Sequence, residues 1–442
     1  MFFCFIQLDI EKARMDAKIF FLLFGLAVCV SASNRHKIVA YWGQNAVYNS
    51  LKPRQYWEKD LVDFCRDYNY DIIVLSFLNV FFDRKNKDRM PGFNFAFHCE
   101  TPVAPEYPKM FRCPKIEAGI KECQKNGKQV LMSLGGAVGR VGFSGVDEAK
   151  LFAYRVYHLL LEGTDLQAIR PFGSAIMDGI DLDIENGYYS YYTDFVKELR
   201  RLEKAGSQKI LIGAAPQCPF PDRLLGPSAG RVLGDVPKLV DEIYIQFYNN
   251  WCHTGNERVF YDHVKKWVDY SKKTDGPMIF VGVPGNKKAS GNPLHYRTPS
   301  ELAKIYQNLK DEPRFGGIMF WDASFDQNNV IDGKHYSEHI AAMFKNGPIP
   351  SGKPNTLPPY TGPTKATPSK GSTAAPTDPP KPPTRPTSVS CQGLSDGIYA
   401  HPKDCSKFFH CLRGIASVKS CQAGLKFNPV AKYCDWPQNV KC

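Results

Sequence analysis

The sequence predicts an α/β protein: a (β/α)8 TIM barrel, then a disordered Pro/Thr-rich linker, then a small disulfide-rich β domain. Three observations predict it. Eight short apolar stretches recur along the first three quarters of the 442-residue chain, each followed by polar or helix-like sequence. After Gly347 the composition turns abruptly to Pro, Ser and Thr. Six cysteines then fall between Cys391 and Cys442.

The chain opens on a targeting signal. Ile19–Val30 is a 12-residue apolar run, preceded by Lys18 and followed by the small residues Ser31-Ala32-Ser33. This is the pattern of a signal peptide over 1–33, and it is shorter than the roughly 20 residues a bilayer span needs. An N-terminal anchor is the competing reading. The polar lead Asp9-Ile10-Glu11-Lys12 does not suit a signal peptide, which makes Met15 the candidate initiator. The expectation is a secreted, extracellular protein with no part held in a membrane. Cysteine usage agrees with export. Of 14 cysteines, Cys4 and Cys29 fall in the leader, and the other twelve divide equally between the main body and the C-terminal segment, with no C-x-x-C pair. That argues for disulfides in an oxidising compartment rather than zinc.

The formal charge of +12 suggests nucleic acid until it is divided. Residues 348–390 hold five Lys/Arg against one Asp, and residues 391–442 hold seven against three. The main body is only mildly basic and has no dense basic run, so no nucleic-acid partner is expected.

The barrel is expected over 34–347. Its strands are read at Lys37–Trp42, Asp71–Leu78, Lys128–Leu134, Ile176–Glu185, Lys209–Ala215, Glu242–Tyr248, Met278–Val283 and Gly316–Trp321. Amphipathic periodicity between them predicts helices, for example over Tyr192–Lys204 and Val259–Lys272. Eight such units favour a closed barrel, with an open doubly wound sheet as the alternative.

The fourth stretch carries the chemistry. In Asp178-Gly179-Ile180-Asp181-Leu182-Asp183-Ile184-Glu185, strand alternation puts Asp181, Asp183 and Glu185 on one face and the apolar residues on the other. Three acids inside a barrel cannot all stay ionised, so at least one keeps its proton at neutral pH. A retained carboxylic acid proton is what a glycosidase donates to its leaving oxygen. Glu185, nearest the C-terminal end where barrel enzymes work, is the candidate acid, and Asp183 its partner. Asp178 is out of register and reads as structural. A calcium site would need turn-rich sequence instead, so neither metal nor cofactor is expected.

This segment resembles the signature of glycoside hydrolase family 18, and Ser133-Leu134-Gly135-Gly136 resembles that family's second motif. Tyr41-Trp42-Gly43-Gln44-Asn45, Ala214-Ala215-Pro216-Gln217-Cys218-Pro219, Gln246-Phe247-Tyr248-Asn249-Asn250 and Trp321 are similar to the plant class III, hevamine-like chitinases. After Asn45 the chain departs from that pattern, with Ala46-Val47-Tyr48 in place of a Gly-rich stretch. The resemblance implies retaining, substrate-assisted hydrolysis of chitin and chitooligosaccharides. It implies that Glu185 protonates the glycosidic oxygen, that Asp183 and Tyr248 hold the acetamide, and that Asp181 modulates the proton on Asp183. Trp321 would form the floor under the reacting sugar, with Tyr41, Gln44, Gln246 and Asn249 contacting or supporting it. A plain core role is the alternative for Trp321. The resemblance also implies the pairs Cys65–Cys123, Cys99–Cys113 and Cys218–Cys252.

From Pro348 to Ser388 there are 13 prolines and 12 Ser/Thr in 41 residues. Such a segment cannot bury a core and reads as an extended spacer over 348–389. Residues 390–442 are too few to fold without staples. Their cysteine spacing, with Gly397-Ile398-Tyr399 and Cys434-Asp435-Trp436-Pro437, resembles the peritrophin-A type chitin-binding domain, carbohydrate-binding family 14. That implies Cys391–Cys411, Cys405–Cys442 and Cys421–Cys434. Tyr433 and Trp436 are the candidate sugar-stacking rings, with a mini-core role as the alternative, and of the adjacent Phe408 and Phe409 one is expected to face outward.

The combined expectation is a secreted, endo-acting chitinase, working as a monomer. The alternatives are an inactive chitin-binding lectin, against which an intact Glu185 argues, and an endo-N-acetylglucosaminidase or lysozyme-type hydrolase.

Overall fold

Eight parallel strands close on themselves. In the computed structural model they are β1 (Lys37–Trp42), β2 (Ile72–Val80), β3 (Gln129–Gly135), β4 (Gly179–Asp183), β5 (Leu211–Ala214), β6 (Glu242–Gln246), β7 (Met278–Pro284) and β8 (Phe315–Trp321). Each pairs with its sequence neighbours, and β1 pairs with both β2 and β8, which closes the barrel. The structure describes residues 36–49, 53–86, 88–347, 389–394, 397–412, 415–421, 426–429, 433–435 and 440. The leader over 1–33 and the spacer over 348–388 lie outside the described residues.

Helices α1 (Leu61–Asp67), α2 (Pro114–Lys125), α3 (Val146–Leu160), α4 (Tyr192–Glu203), α5 (Val232–Asp235), α6 (Glu257–Thr274), α7 (Pro299–Leu309), α8 (Ala323–Gln327) and α9 (Tyr336–Phe344) surround the strands. Local sequence sets their ends. Pro299 opens α7 behind a Thr298/Glu301 capping box, and α6 stops at Asp275 in the left-handed region. The short α5 leaves most of the β5–β6 connection as loop. That loop is stapled at one end by Cys218–Cys252, while Cys65–Cys123 joins α1 to α2 and Cys99–Cys113 closes the loop after β2.

Strand alternation divides the core in two. Val39, Tyr41, Val74, Leu131, Tyr244 and Met319 fill the barrel, while Ile38, Ala40, Ile180, Leu182 and Ile212 pack outward against the helices. The fourth strand is shorter than its sequence suggests. Its ladder ends at Asp183, whose carbonyl accepts from Gly136 N at 2.8 Å, and Ile184 and Glu185 leave the sheet. Gly135 makes this approach feasible: it has φ +123°, and a Cβ there would stand 2.2 Å from the Asp183 carbonyl oxygen.

The C-terminal segment has a three-stranded antiparallel sheet, β9 (Gly397–Ala400), β10 (Lys407–Leu412) and β11 (Ile415–Ser420). A second pair joins β12 (Lys426–Asn428) to β13 (Tyr433–Asp435). The Cys391–Cys411 disulfide and buried Phe409 form its small core. Phe409 stacks with Tyr399, while half-buried Phe408 stacks on Phe427. Trp436, the Tyr433 side chain and the implied pairs Cys405–Cys442 and Cys421–Cys434 lie outside the described residues.

Candidate active site

β4 carries two buried carboxyls into the barrel. Asp181 is fully buried, and its Oδ2 accepts from Tyr41 Oη at 2.8 Å and Ser133 Oγ at 2.7 Å. Its Oδ1 is buried with no hydrogen-bond partner among the described residues. Burial pushes this carboxyl up to about 6, against the two hydroxyl donors. Asp183 is 4% exposed, and its Oδ1 accepts from Gln246 Nε2 at 3.0 Å. Burial, then the charges of Glu185, Asp181 and Asp222, raise Asp183 well above the usual carboxylate range.

Glu185 stands just past the strand end, half-buried, with Gln217 Nε2 at 3.4 Å from its Oε2. Asn250 Nδ2 in turn donates to Gln217 Oε1 at 3.0 Å. Asp183 and Glu185 open into one cavity of about 240 Å³, which Tyr41, Gln44, Gln246, Tyr248, Asn249 and Trp321 also line. Trp321 at the end of β8 lies nearly parallel to Phe77, with centroids 6.0 Å apart, and tilts against Tyr41. Burial and the charges of Asp183 and Glu185 hold the Tyr248 phenol protonated, as a donor.

Two residues expected to contact substrate also have structural work. Gln44 Nε2 donates to the carbonyls of Ser76 and Asn94, at 2.8 and 2.9 Å. Asn249 Oδ1 accepts from Gly291 N, and its backbone N–H donates to His295 Nδ1 at 3.1 Å. Burial, with the charges of His253 and Arg297, pushes His295 down to about 3. Both residues therefore brace the rim of the cavity they line. Asp178 lies off the site, accepting from Val130 N and Gln124 Nε2.

Sequence reasoning gave no role to Gln217, Asn79, Phe77 or Asp222. Gln217 was within reach, because it sits inside the Ala214–Pro219 motif. Asn79 and Phe77 reach the cavity from the end of β2. Asp222 is buried, accepts from Leu224 N and Leu225 N, and adds its charge behind Asp183. Behind the rim lies a second acid pair. Glu58 Oε2 accepts from Gly43 N and Asn45 N, and its charge helps burial push Asp322 up to about 8.

The site thus offers an open carboxyl held by an amide, a buried proton-retaining carboxyl beside it, and an aromatic floor. That set can pass a proton to an oxygen of a ligand seated on the ring.

Comparison with known proteins agrees with this geometry. Residues 37–294 match the model of the glycosyl hydrolases family 18, and residues 391–442 match the chitin binding Peritrophin-A domain. "Chitinase 1" of Rhizopus niveus is 38% identical over 67% of this chain and 56% of its own length. The "Acidic endochitinase" of Cicer arietinum is 31% identical over 70% of this chain and 95% of its own. The crystal structure of ICChI chitinase from Ipomoea carnea is 26% identical with a TM-score of 0.56, covering 70% of this chain and 99% of that one. The chain spans about half the length of the fungal relatives it matches. With more than half of its length matched by one family model, and with Asp183 and Glu185 at the end of β4 opening into a single cavity, this chain belongs to glycosyl hydrolases family 18.

Proposed function

We propose that the protein is a secreted, endo-acting chitinase that cleaves the β-1,4 linkages between N-acetylglucosamine units with retention of the anomer. A signal peptide (1–33), a catalytic barrel (34–347), a spacer (348–389) and a chitin-binding module (390–442) make up this working unit, which acts as a monomer. The family membership and the peritrophin-type match support the substrate class.

Glu185 gives its proton to the glycosidic oxygen as the bond from that oxygen to the anomeric carbon breaks. The acetamide oxygen of the same sugar attacks that carbon, forming a cyclic oxazolinium ion. As the acetamide moves into place Asp183 passes its proton to the neighbouring Asp181 carboxylate, and the Asp183 carboxylate then accepts the acetamide N–H and balances the positive charge, while Tyr248 donates to the acetamide from the other side. Water then attacks the anomeric carbon, its proton goes to the Glu185 carboxylate, and the ring opens. Asp181 tunes the proton on Asp183, and Trp321 carries the sugar's apolar face. In the module, Tyr433 and Trp436 stack on polymer sugars.

One observation carries this reading: Asp183, crowded by Asp181 and Glu185 and bonded to Gln246, shares its cavity with Glu185, Tyr248 and Trp321. The test is Glu185→Gln on colloidal chitin and soluble chitooligosaccharides. Loss of a general acid lowers kcat by about 10²–10⁴-fold. Unchanged turnover, or product of inverted anomer from the unaltered protein, overturns the mechanism.

A further inference from the structure

The chain leaves Glu185 through Asn186-Gly187-Tyr188-Tyr189-Ser190-Tyr191, a segment with an unusual surface. Tyr188 is 76% exposed, Tyr189 41% and Tyr191 37%, whereas the next residue, Tyr192, is buried at the start of α4. Single exposed aromatics are ordinary; three within four positions make a patch. No charged residue occurs between Asn186 and Thr193, so the segment itself offers rings and hydroxyls, and the charge that packs on it is the Arg231 guanidinium over Tyr189.

The segment that carries the patch is anchored beside the cavity. Asn186 Nδ2 donates to the carbonyls of Gly136 and Ala137, at 3.3 and 3.2 Å, which fixes the segment to the cavity wall. Tyr188 follows Glu185 by three residues, so their Cα atoms are at most about 11 Å apart. The Arg231 guanidinium lies 4.2 Å over the Tyr189 ring and holds it in place from the β5–β6 loop. Tyr191 has φ +70°, a conformation that Gly or Asn would adopt at lower cost than a bulky ring.

Direction follows from the chemistry. The reacting sugar sits over Trp321, beside Asp183 and Tyr248, and Glu185 faces the oxygen that joins it to the next unit. A surface that continues past Glu185, outside the cavity lining, meets the units on the departing side. Sugar rings present apolar C–H faces, and tyrosines meet such faces by stacking while their hydroxyls stay solvated.

We propose that Tyr188 and Tyr189 form a binding surface for the leaving-group side of a chitooligosaccharide, stacking on the N-acetylglucosamine units beyond the scissile bond. This rests on the chitinase reading above. It makes the segment after the acid a determinant of chain-length preference, separate from the C-terminal module.

The test uses the full chain with two soluble substrates. One is N-acetylchitohexaose, and the other is a nitrophenyl diacetylchitobioside, which has no sugar beyond the bond cleaved. The double variant Tyr188→Ala/Tyr189→Ala should lose about tenfold in kcat/KM on the hexamer, equivalent to about 1.4 kcal/mol. Its kcat/KM on the aryl glycoside should stay within about twofold, a change worth under 0.5 kcal/mol. Tyr188→Phe/Tyr189→Phe should keep both activities. An unchanged hexamer rate in the Ala variant, or an equal loss on both substrates, overturns the proposal. Absence of turnover of both substrates by the unaltered protein overturns the chitinase reading and this proposal with it.

Discussion

Gln246 holds Asp183 from below: its Nε2 donates to Asp183 Oδ1 at 3.0 Å and to the Ala215 carbonyl at 3.1 Å. The shared donor locks one carboxylate oxygen as an acceptor and leaves the other to carry the proton. Gln246→Leu removes the bond that opposes burial, so the Asp183 carboxyl should rise further. The expected outcome is a loss of about 10- to 100-fold in kcat, the worth of an unpaired buried polar group. The acidic limb of the kcat profile should also move to higher pH, as measured on a soluble oligomer.

Gln217 acts one step further out. Its amide reaches Glu185 and is itself held by Asn250, next to the Cys218–Cys252 staple. Gln217→Leu should lower kcat about five- to tenfold, in line with one modest hydrogen bond, and leave KM nearly unchanged. Steady-state kinetics would read both values, and a KM effect alone would contradict the assignment.

Asp322 gives a pH test of stability. Burial and Glu58 raise it to about 8 in the folded state, against about 4 when unfolded. The folded chain therefore binds the extra proton between these values, and stability is lost as pH rises from about 4 to about 8. Asp322→Asn cannot ionise, and its Oδ1 can still accept from Ser324 and Phe325 N. The variant should match the parent near pH 4 and exceed it by about 1–3 kcal/mol near pH 8.5. Denaturation at the two pH values decides this, and a constant difference would count against it.

Gly135→Ala tests the end of β4. The added Cβ would collide with the Asp183 carbonyl, at a φ that side chains avoid. A loss of about 3 kcal/mol or more is expected by chemical denaturation. A variant of ordinary stability would mean that β3 and β4 separate freely there.

Removal of residues 390–442 tests the division of labour. A tethered module raises the local concentration of enzyme on an insoluble polymer without touching the cavity. Activity on crystalline chitin should fall severalfold and activity on short soluble oligomers should hold. Equal loss on both would argue that the module supports the barrel itself.

Much of the barrel was legible because alternation is a local property. Ile180, Leu182 and Ile184 pack toward the helices while Asp181 and Asp183 turn inward, as a two-residue period requires. Length was less legible. Ile176–Glu185 reads as one apolar-interleaved run, but Gly179–Asp183 alone is paired, because ladder length depends on the neighbouring strands. The cavity's far wall was hidden for a similar reason. Phe77 and Asn79 share a cavity with Glu185, and Gln217 reaches it, only once β2 to β5 lie side by side in the barrel, and no spacing along the chain encodes that. Gln44 and Asn249 show the converse: the motif marks the residues, while their amides hold loops together.

The His295 contact at the rim has a consequence for any titration of this protein. Its Nδ1 accepts the Asn249 N–H, which places its single proton on Nε2, and its own ionisation lies near 3. Across the whole range in which the barrel carboxyls change charge, that imidazole stays neutral and the joint between the β6 and β7 loops keeps its geometry. This part of the rim is a fixed reference, so a bend in a rate-versus-pH curve above about 4 cannot be assigned to it.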